Sequence, residues 1–527
     1  MSFEINSDET RMLAHQKATE LRHENPRAAL DYVASLKASD SWRWALLELR
    51  GVIGIDAGFD LGEAAEVGRG IALLKSAFPG DRPPMTLYNI ANGENARWEL
   101  VLREEGIVAA VERERKSLHA ARRMWEQIGQ DSAVEPGLRA QALVNAGNSY
   151  DNLGRGHEGI RLYEEALEVV PDFAMAQGNL GKALALTLPF AFEHTHAVLA
   201  DTVAALDAAL SSPDAVIEVG GPSALASFQQ TRDQLPDEVP EHSHEPEVWT
   251  DPYLSWCHQH ELFLHVSPMC LTQDSPLLDP LVFQRLVGSF DDNSLDRSDS
   301  LLDGLNAIKR DFTTTRYLTW LALDPESTVA EQADELDHRI RLADTLNYGR
   351  WGLRTGIAVQ SFAATTNLLD KIATFTHAYF ETGRKPNEVV FRDFWQAPNS
   401  KAMDPKFAAA ITPPLWNPGL AALCDLANDL RDETPLAAFV ALRHAATHRL
   451  VVAHEFDAAE STGWLERVEW PAFDAASLDQ LRLARAAIIY LVRAVDTEEH
   501  AKSQQYGEDA LVPLPTVDVD ADLTQLD

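Results

Sequence analysis

Two arginines and two histidines interrupt an otherwise apolar stretch, LAAFVALRHAATHRLVVAH, at residues 436–454. Arg443 and His448 are five residues apart, and His444 and Arg449 stand beside them. A guanidinium can bind phosphate through two parallel hydrogen bonds, and an imidazole gains and loses a proton near neutral pH. These are the groups that RNA cleavage without a metal requires, because the 2′-hydroxyl of RNA is itself the nucleophile.

The pattern predicts that this stretch is helical, which sets the geometry of the pair. Five residues on a helix correspond to about 500° of rotation and about 7.5 Å of rise. Arg443 and His448 are therefore expected to flank a groove rather than stack on one face. In such a groove His448 would move a proton from the 2′-hydroxyl or to the departing 5′-oxygen, while Arg443 holds the scissile phosphate.

Two other interpretations use the same residues. His444 and His448 share a helical face, as in H-E-x-x-H metalloproteases, but the glutamate that acts as general base there is absent here. The structural alternative is that Arg443 and His448 are buried and make ordinary hydrogen bonds. The spacing by itself leaves this alternative open.

The net charge of −36 argues against a protein that binds nucleic acid over its whole surface, because phosphate binding depends on Lys and Arg. Residues 341–450 hold twelve Lys and Arg against ten Asp and Glu, a net charge of +2, so the rest of the chain carries −38. An RNA site must therefore be local. Within this block we expect Arg449, Lys371 and Arg354 to contact RNA.

A segment rich in histidine invites a metal interpretation, with candidate ligands His242, His244, Cys257, His258, His260 and His265. Structural zinc sites need four convergent ligands, commonly in paired spacings such as C-x-x-C. Only one cysteine takes part here, and the first two histidines lie in an acidic, Pro-rich stretch. We expect neither a metal nor another cofactor.

Hydrophobic residues recur at a helical period along almost the whole chain, which predicts an all-α fold. Residues 140–171 match the 34-residue tetratricopeptide template of small residues at helix crossings, and Gly147 and Asn145 recur 34 residues later as Gly181 and Asn179. We therefore predict a short helical solenoid over residues 1–235. In related repeats, asparagines at the position of Asn145 and Asn179 hold a peptide backbone or carboxylate. Helix capping or packing is the alternative role.

The rest of the chain divides by composition. Residues 236–252 are acidic and rich in Pro and predict a linker, residues 253–500 predict a second helical domain, and residues 501–527 predict a disordered acidic tail. No apolar run is long enough to span a membrane, and the N-terminus has no signal-peptide pattern. Three cysteines make no disulfide framework, so we expect a cytoplasmic protein.

The second domain resembles the HEPN superfamily, whose nuclease members carry R-x4-to-6-H in small helical bundles. The resemblance rests on five segments in order: YLSWCHQHELFLH (253–265), IKRDFTTTRYLTWLAL (308–323), TTNLLDKIATFTHAYF (365–380), LWNPGLAALCDLANDL (415–430) and LRHAATHR (442–449). The same order occurs in a branch that places tetratricopeptide repeats before the HEPN domain. The residue after the motif arginine is usually polar in that family, and here it is His444.

The resemblance implies a symmetric homodimer in which both motifs face one composite groove, with Arg443 and His448 catalytic and His444 in support. It also implies a role in bacterial antiphage or toxin-antitoxin defence, with the repeat domain as sensor or regulator. Some HEPN domains are inactive. A non-catalytic dimer that binds a partner protein through its repeats is therefore the main alternative, and a nucleotide-binding module is a further one.

Overall fold

The computed structural model describes residues 4–237, 239, 248–267, 271–275, 277–287, 294–325, 327, 335–343, 346–385, 388–398, 400–431, 437–456, 458, 460–506 and 511–512. Within these ranges the side chains of residues 193, 294–297, 437–440, 448, 506 and 511–512 lie outside the description.

The fold is all-α, as the sequence predicts, and strands are short wherever the structure describes them. The N-terminal half, residues 4–235, contains α1 (Asp8–Glu24), α2 (Pro26–Ser35), α3 (Arg43–Leu61), α4 (Ala64–Ala77), α5 (Pro84–Glu105), α6 (Ile107–Arg113), α7 (Arg115–Gln130), α8 (Pro136–Asp151), α9 (Gly156–Val169), α10 (Ala174–Ala185), α11 (Thr195–Leu210) and α12 (Pro213–Asp233). Successive helices pack as pairs, most extensively α3 with α4, α8 with α9 and α10 with α11.

The small residues of the repeat pattern lie where paired helices cross. A Cβ atom at Gly147 of α8 would come within 2.5 Å of the Tyr163 ring of α9, and one at Gly181 of α10 within 2.6 Å of Leu206 of α11. Both glycines are buried. The crossings are therefore close because these two positions carry no side chain.

The C-terminal half contains α13 (Pro252–Gln259), α14 (Ser294–Leu323), α15 (Leu353–Phe380), α16 (Pro405–Ala410), α17 (Pro418–Asp429), α18 (Ala437–His448) and α19 (Trp470–Tyr506). Helices α14, α15, α17 and α19 pack together, and their buried Leu, Ile and aromatic side chains form the largest core cluster. That cluster also includes residues of the N-terminal half, among them Trp98, Leu118 and Leu153. The two halves therefore share one continuous core.

Three pairs of short strands complete the described fold. Strand β1 (Glu4–Ile5) pairs in parallel with β2 (Lys37–Ala38), β3 (Leu286–Val287) pairs antiparallel with β6 (Leu511–Val512), and β4 (Leu450–His454) pairs in parallel with β5 (Leu465–Glu469). No helix in the described part of the chain is long and apolar enough to cross a membrane.

Two sequence expectations differ from the structure. We expected residues 436–454 to form one helix, but α18 ends at His448 and β4 begins at Leu450, where the β-branched Val451 and Val452 pair with β5. We expected disorder from residue 501, but α19 continues to Tyr506 and Leu511–Val512 pair with β3. Residues 513–527 lie outside the described part.

A buried network of charges joins the two halves. Arg122 of α7 contacts Asp425 of α17 at 2.7 Å, and Arg155, which precedes α9, contacts Asp425 at 2.9 Å and also pairs with Asp429. His119 Nε2 lies 3.1 Å from Asp429. Burial alone would raise the pKa of Asp429, but Arg155 and His119 hold that pKa well below its usual range. Two guanidiniums thus match two carboxylates inside the protein.

Removing one member of this network is expected to destabilise the fold. Asp425→Ala would remove the carboxylate that Arg122 and Arg155 share and leave Arg122 buried without its direct partner, while Arg155 keeps Asp429 and Glu158. This should cost about 3–5 kcal/mol of unfolding free energy. Urea unfolding at neutral pH measures this cost. The matched control is Glu20→Ala on the exposed surface of α1, expected within about 0.5 kcal/mol of wild type. Equal unfolding midpoints for the two variants would contradict a structural role for the network.

Candidate functional site

Helix α18, which carries the R-x4-H motif, is buried on one side and exposed on the other. Leu442 is buried against a small cluster that includes Phe362 and Phe473, and Ala445 is also buried. His444 and Thr447 are exposed. The helix is therefore amphipathic rather than wholly buried, and its polar residues do not need a special explanation within the core.

Arg443 lies partly exposed on this helix and is held by a carboxylate. Its Nη2 donates to Oδ2 of Asp370 in α15 at 2.9 Å, and the side chain is 18% exposed. Oδ1 of Asp370 accepts from the backbone N–H of Phe391 at 2.9 Å, which fixes the carboxylate. Among the residues that the structure describes, Nε and Nη1 of Arg443 make no further hydrogen bond.

The side chains of His444 and Arg449 are described by the structure, whereas only the backbone of His448 is. The His444 side chain is exposed one position after Arg443, on the surface of α18. The backbone of His448 ends α18, and its side chain lies outside the described part of the structure. Arg449 is exposed immediately after the helix, and its Nη1 donates to the Gly463 carbonyl at 3.3 Å.

The two remaining basic candidates lie far apart on α15. Lys371, next to Asp370, is 53% exposed and pairs with Asp311. Arg354 lies 17 residues earlier, about 25 Å away along the helix. Its Nε and Nη2 donate to the carbonyls of Ala322 and Asp324 at 2.6 and 2.7 Å, which caps the end of α14. Lys371 thus follows the residue that holds Arg443, whereas Arg354 stabilises the end of α14.

An exposed apolar strip lies directly beyond the motif helix. Its members are Leu346, Tyr348, Trp351, Leu450, Phe456 and Trp464. The rings of Tyr348 and Phe456 are 4.2 Å apart, and the chain at Tyr348 runs along β4, where its carbonyl accepts from the Glu455 N–H at 2.9 Å. Trp464 is 65% exposed. Exposed apolar side chains gathered around one small sheet commonly mark an interaction surface.

The N-terminal half contains a second candidate site, a cavity of about 580 Å³. We call it the amide groove, because Asn92, Asn145, Asn148 and Asn179 are among its lining residues. Asn145 Nδ2 donates to the Tyr88 hydroxyl at 2.8 Å and to Asn92 Oδ1 at 3.4 Å. The structure therefore brings both predicted asparagines, Asn145 and Asn179, to one cavity.

The hydrogen bonds in this groove orient its amides in a repeating way. Asn179 Nδ2 donates to Asn148 Oδ1 at 2.9 Å, just as Asn145 Nδ2 donates to Asn92 Oδ1. Tyr163 and Trp125 supply a second donor to Asn148 Oδ1 and Asn92 Oδ1, respectively. Within the described residues, this leaves the Nδ2 donors of Asn92 and Asn148 and the Oδ1 acceptors of Asn145 and Asn179, four residues that line the cavity, without a further hydrogen bond.

Sequence reasoning missed Asp370, Asn92 and Asn148. The spacing of the asparagines carried a signal, because Asn89 and Asn92 repeat as Asn145 and Asn148 with the same offset of 56 residues. Asp370 had no such signal, since its partner Arg443 lies 73 residues away in the sequence.

The histidine-rich segment shows no metal centre in the part of the chain that can be described. No three His, Cys, Asp or Glu side chains converge there as metal ligands would. Cys257 is buried, and burial raises the pKa of its thiol to about 12. His265 Nδ1 contacts the Ser267 carbonyl at 2.7 Å. His242 and His244 lie outside the described residues.

Comparison with known families identifies one region of the chain. Residues 295–498 match the family model described as LA2681-like HEPN, and this range includes Asp370 and the R-x4-H motif of α18. A comparison with curated proteins finds no match. The match begins later than the domain boundary at residue 253 that we predicted from sequence. The C-terminal part of this chain, residues 295–498, is therefore a HEPN domain.

Proposed function

We propose that this protein is a metal-independent endoribonuclease of the HEPN type that acts as a homodimer in bacterial antiphage or toxin-like defence, with the N-terminal repeat domain as sensor or regulator. The observation that carries the proposal is the state of Arg443 inside the HEPN domain. It is partly exposed, oriented by Asp370 and retains donors for a phosphate.

The proposed reaction is a transesterification within the RNA. The 2′-oxygen attacks the adjacent phosphorus while His448 removes the hydroxyl proton, and the bond from phosphorus to the 5′-oxygen breaks. The 5′-oxygen takes the proton that His448 removed, which gives a 2′,3′-cyclic phosphate and a free 5′-hydroxyl and returns His448 to its neutral form. Arg443 binds the non-bridging oxygens as charge develops on them, with His444 as a further donor. Lys371 and Arg449 are the proposed contacts to neighbouring phosphates.

Loss of either motif side chain should abolish RNA cleavage. We expect His448→Ala and Arg443→Ala to lower the cleavage rate of total RNA by about 100-fold or more, because each removes proton transfer or charge stabilisation. EDTA should leave the wild-type rate unchanged, and DNA of the same sequence should stay intact. Gel analysis of the products with 2′,3′-cyclic phosphate detection measures both.

The control for this experiment is Arg339→Ala, an exposed arginine outside the motif that is expected to cleave at the wild-type rate. Asp370→Asn provides a second comparison, because an amide can still accept from Phe391 but no longer pairs with Arg443. It should lower kcat more than it changes KM if Asp370 positions the guanidinium. Equal rates for wild type, Arg443→Ala and His448→Ala would end the nuclease proposal.

The apolar strip is the surface that we propose for the dimer. One of its members, Leu450, lies two residues after His448, so a second copy docked there would bring the two motifs close to the twofold axis. This supports a composite groove in which the Arg443 of each copy and the His448 of each copy face one substrate.

A charge in the strip should dissociate the dimer and lower activity together. Trp464→Glu is expected to reduce the mass in solution from about twice 58.3 kDa to 58.3 kDa, because a buried unpaired carboxylate opposes association. Light scattering coupled to gel filtration measures the mass, and the cleavage assay measures activity. Met12→Glu, at an exposed apolar residue of α1, is the control. A Trp464→Glu protein that remains dimeric, or a fully active monomer, would contradict the proposed surface.

The second candidate function is a non-catalytic dimer that binds a partner through the N-terminal half. The amide groove favours it specifically, because the asparagines that line it retain both hydrogen-bond donors and acceptors, as the N–H and C=O groups of a peptide backbone require. In this reading the HEPN domain only dimerises, and His448→Ala has no effect on function.

Peptide binding tests the amide groove. On an array of peptides of about ten residues, which span about 33 Å when extended, the full-length protein should bind through the groove. The double variant Asn145→Ala with Asn179→Ala should reduce the bound signal about tenfold, because two buried amide contacts are lost. His448→Ala should bind as wild type does. Undiminished binding by the double variant would exclude the amide groove as the peptide site.

A further inference from the structure

The amide groove is built from rows of polar residues on successive helices. On α5, Asn92, Asn95 and Glu99 lie on one face, and on α8 a similar row consists of Asn145, Asn148 and Asp151. Each row thus ends in a carboxylate one helical turn beyond its last asparagine. The groove therefore offers acidic groups next to amides on two of its helices.

The carboxylates in this groove have only partial compensation from the chain. Glu99 accepts from Asn95 at 2.6 Å, and Asp56 of α3 pairs with Arg22 at 2.9 Å. Arg22 is shared, because it also binds Asp60 at 2.7 Å. Burial raises the pKa of Asp56, Glu99 and Asp151 even though arginines and Lys182 lie near them. A further cation in the groove would stabilise the ionised form of all three.

The chain's own segments outside the described residues do not supply that cation. Residues 240–247, PEHSHEPE, hold three glutamates and no Lys or Arg. Residues 513–527 hold four aspartates and likewise no Lys or Arg. Both segments would place like charges beside Glu99 and Asp151. RNA would do the same with its phosphates. Charge complementarity therefore points to another protein.

We propose that the amide groove binds an extended segment of a partner protein that carries Lys or Arg side chains. The asparagines hold its main chain, with Asn92 and Asn148 donating to its carbonyls and Asn145 and Asn179 accepting from its N–H groups. Glu99 and Asp151 receive its basic side chains. This inference rests on the second candidate function, peptide binding in the groove, and adds the chemistry of the partner.

Charge-matched peptides test this inference with the full-length protein. The probes are fluorescent peptides of about ten residues that alternate Ser with Lys, Ser with Glu, or Ser with Ala, acetylated and amidated so that no terminal charge remains. In fluorescence anisotropy at low salt, the Lys peptide should bind about tenfold more tightly than the Ala peptide, because charge-assisted hydrogen bonds replace contacts to water. The Glu peptide should bind most weakly.

Variants then assign the preference to the groove. Glu99→Gln with Asp151→Asn keeps the shape and hydrogen-bonding capacity of both rows and should bring the Lys peptide to the affinity of the Ala peptide. Glu20→Gln, an exposed carboxylate of α1, is the matched control and should preserve the difference. Asn92→Ala with Asn148→Ala should weaken all three peptides, because main-chain contacts do not depend on the peptide's charge.

Each negative result overturns a different proposal. Binding that depends on the asparagines but not on peptide charge, or a Lys preference that survives in Glu99→Gln with Asp151→Asn, overturns the basic partner and leaves the peptide groove in place. Absence of binding by all three peptides overturns both the groove and this inference. RNA cleavage, measured separately on the same variants, reports on the nuclease proposal alone.

Discussion

The buried charge network between α7, the start of α9 and α17 holds the two halves of the molecule together. Arg122 and Arg155 would be costly to bury alone, as would Asp425 and Asp429. The two arginines and the two aspartates neutralise each other's charge. Their salt bridges form only when the N-terminal helices and α17 meet in one arrangement. The shared apolar core stabilises the contact between the halves, but hydrophobic burial is not directional. The charged side chains specify the orientation in which the halves meet.

This arrangement places α8 and α17 between two candidate sites. Helix α8 presents Asn145 and Asn148 to the amide groove, and the Ser149 hydroxyl and carbonyl of the same helix accept from Arg122, which continues to Asp425. Helix α17 ends at Asp429, eight residues before α18 begins. Helix α8 thus contacts both the amide groove and the buried charge network. Helix α17, which supplies the carboxylates of the network, precedes the motif helix α18 in the chain. The chemistry at each end is different: amides and carboxylates in the groove, a guanidinium in the HEPN domain.

At the motif itself, the decisive feature is partial burial. Leu442 and Ala445 anchor α18 against the bundle, so the polar side of the helix stays at the surface with a fixed direction. Asp370 then limits how Arg443 can move without using all of its donors. The partly exposed pair contributes little to stability, about 0–1 kcal/mol, so a phosphate can compete for the guanidinium at small cost. A fully buried pair would resist such competition.

The sequence by itself determined the helical class, the close crossing at Gly147 and the motif residues, because helical period, small-residue spacing and residue chemistry are local properties that composition and order express directly. The recurrence of Asn145 as Asn179, 34 residues later, likewise marked both residues in the sequence. Only the tertiary structure decided that Asp370 holds Arg443, that Asp425 joins the halves, and that residues after His448 form a strand. These depend on partners far apart in the chain, whose meeting is set by packing of whole helices and leaves no periodic trace in the sequence.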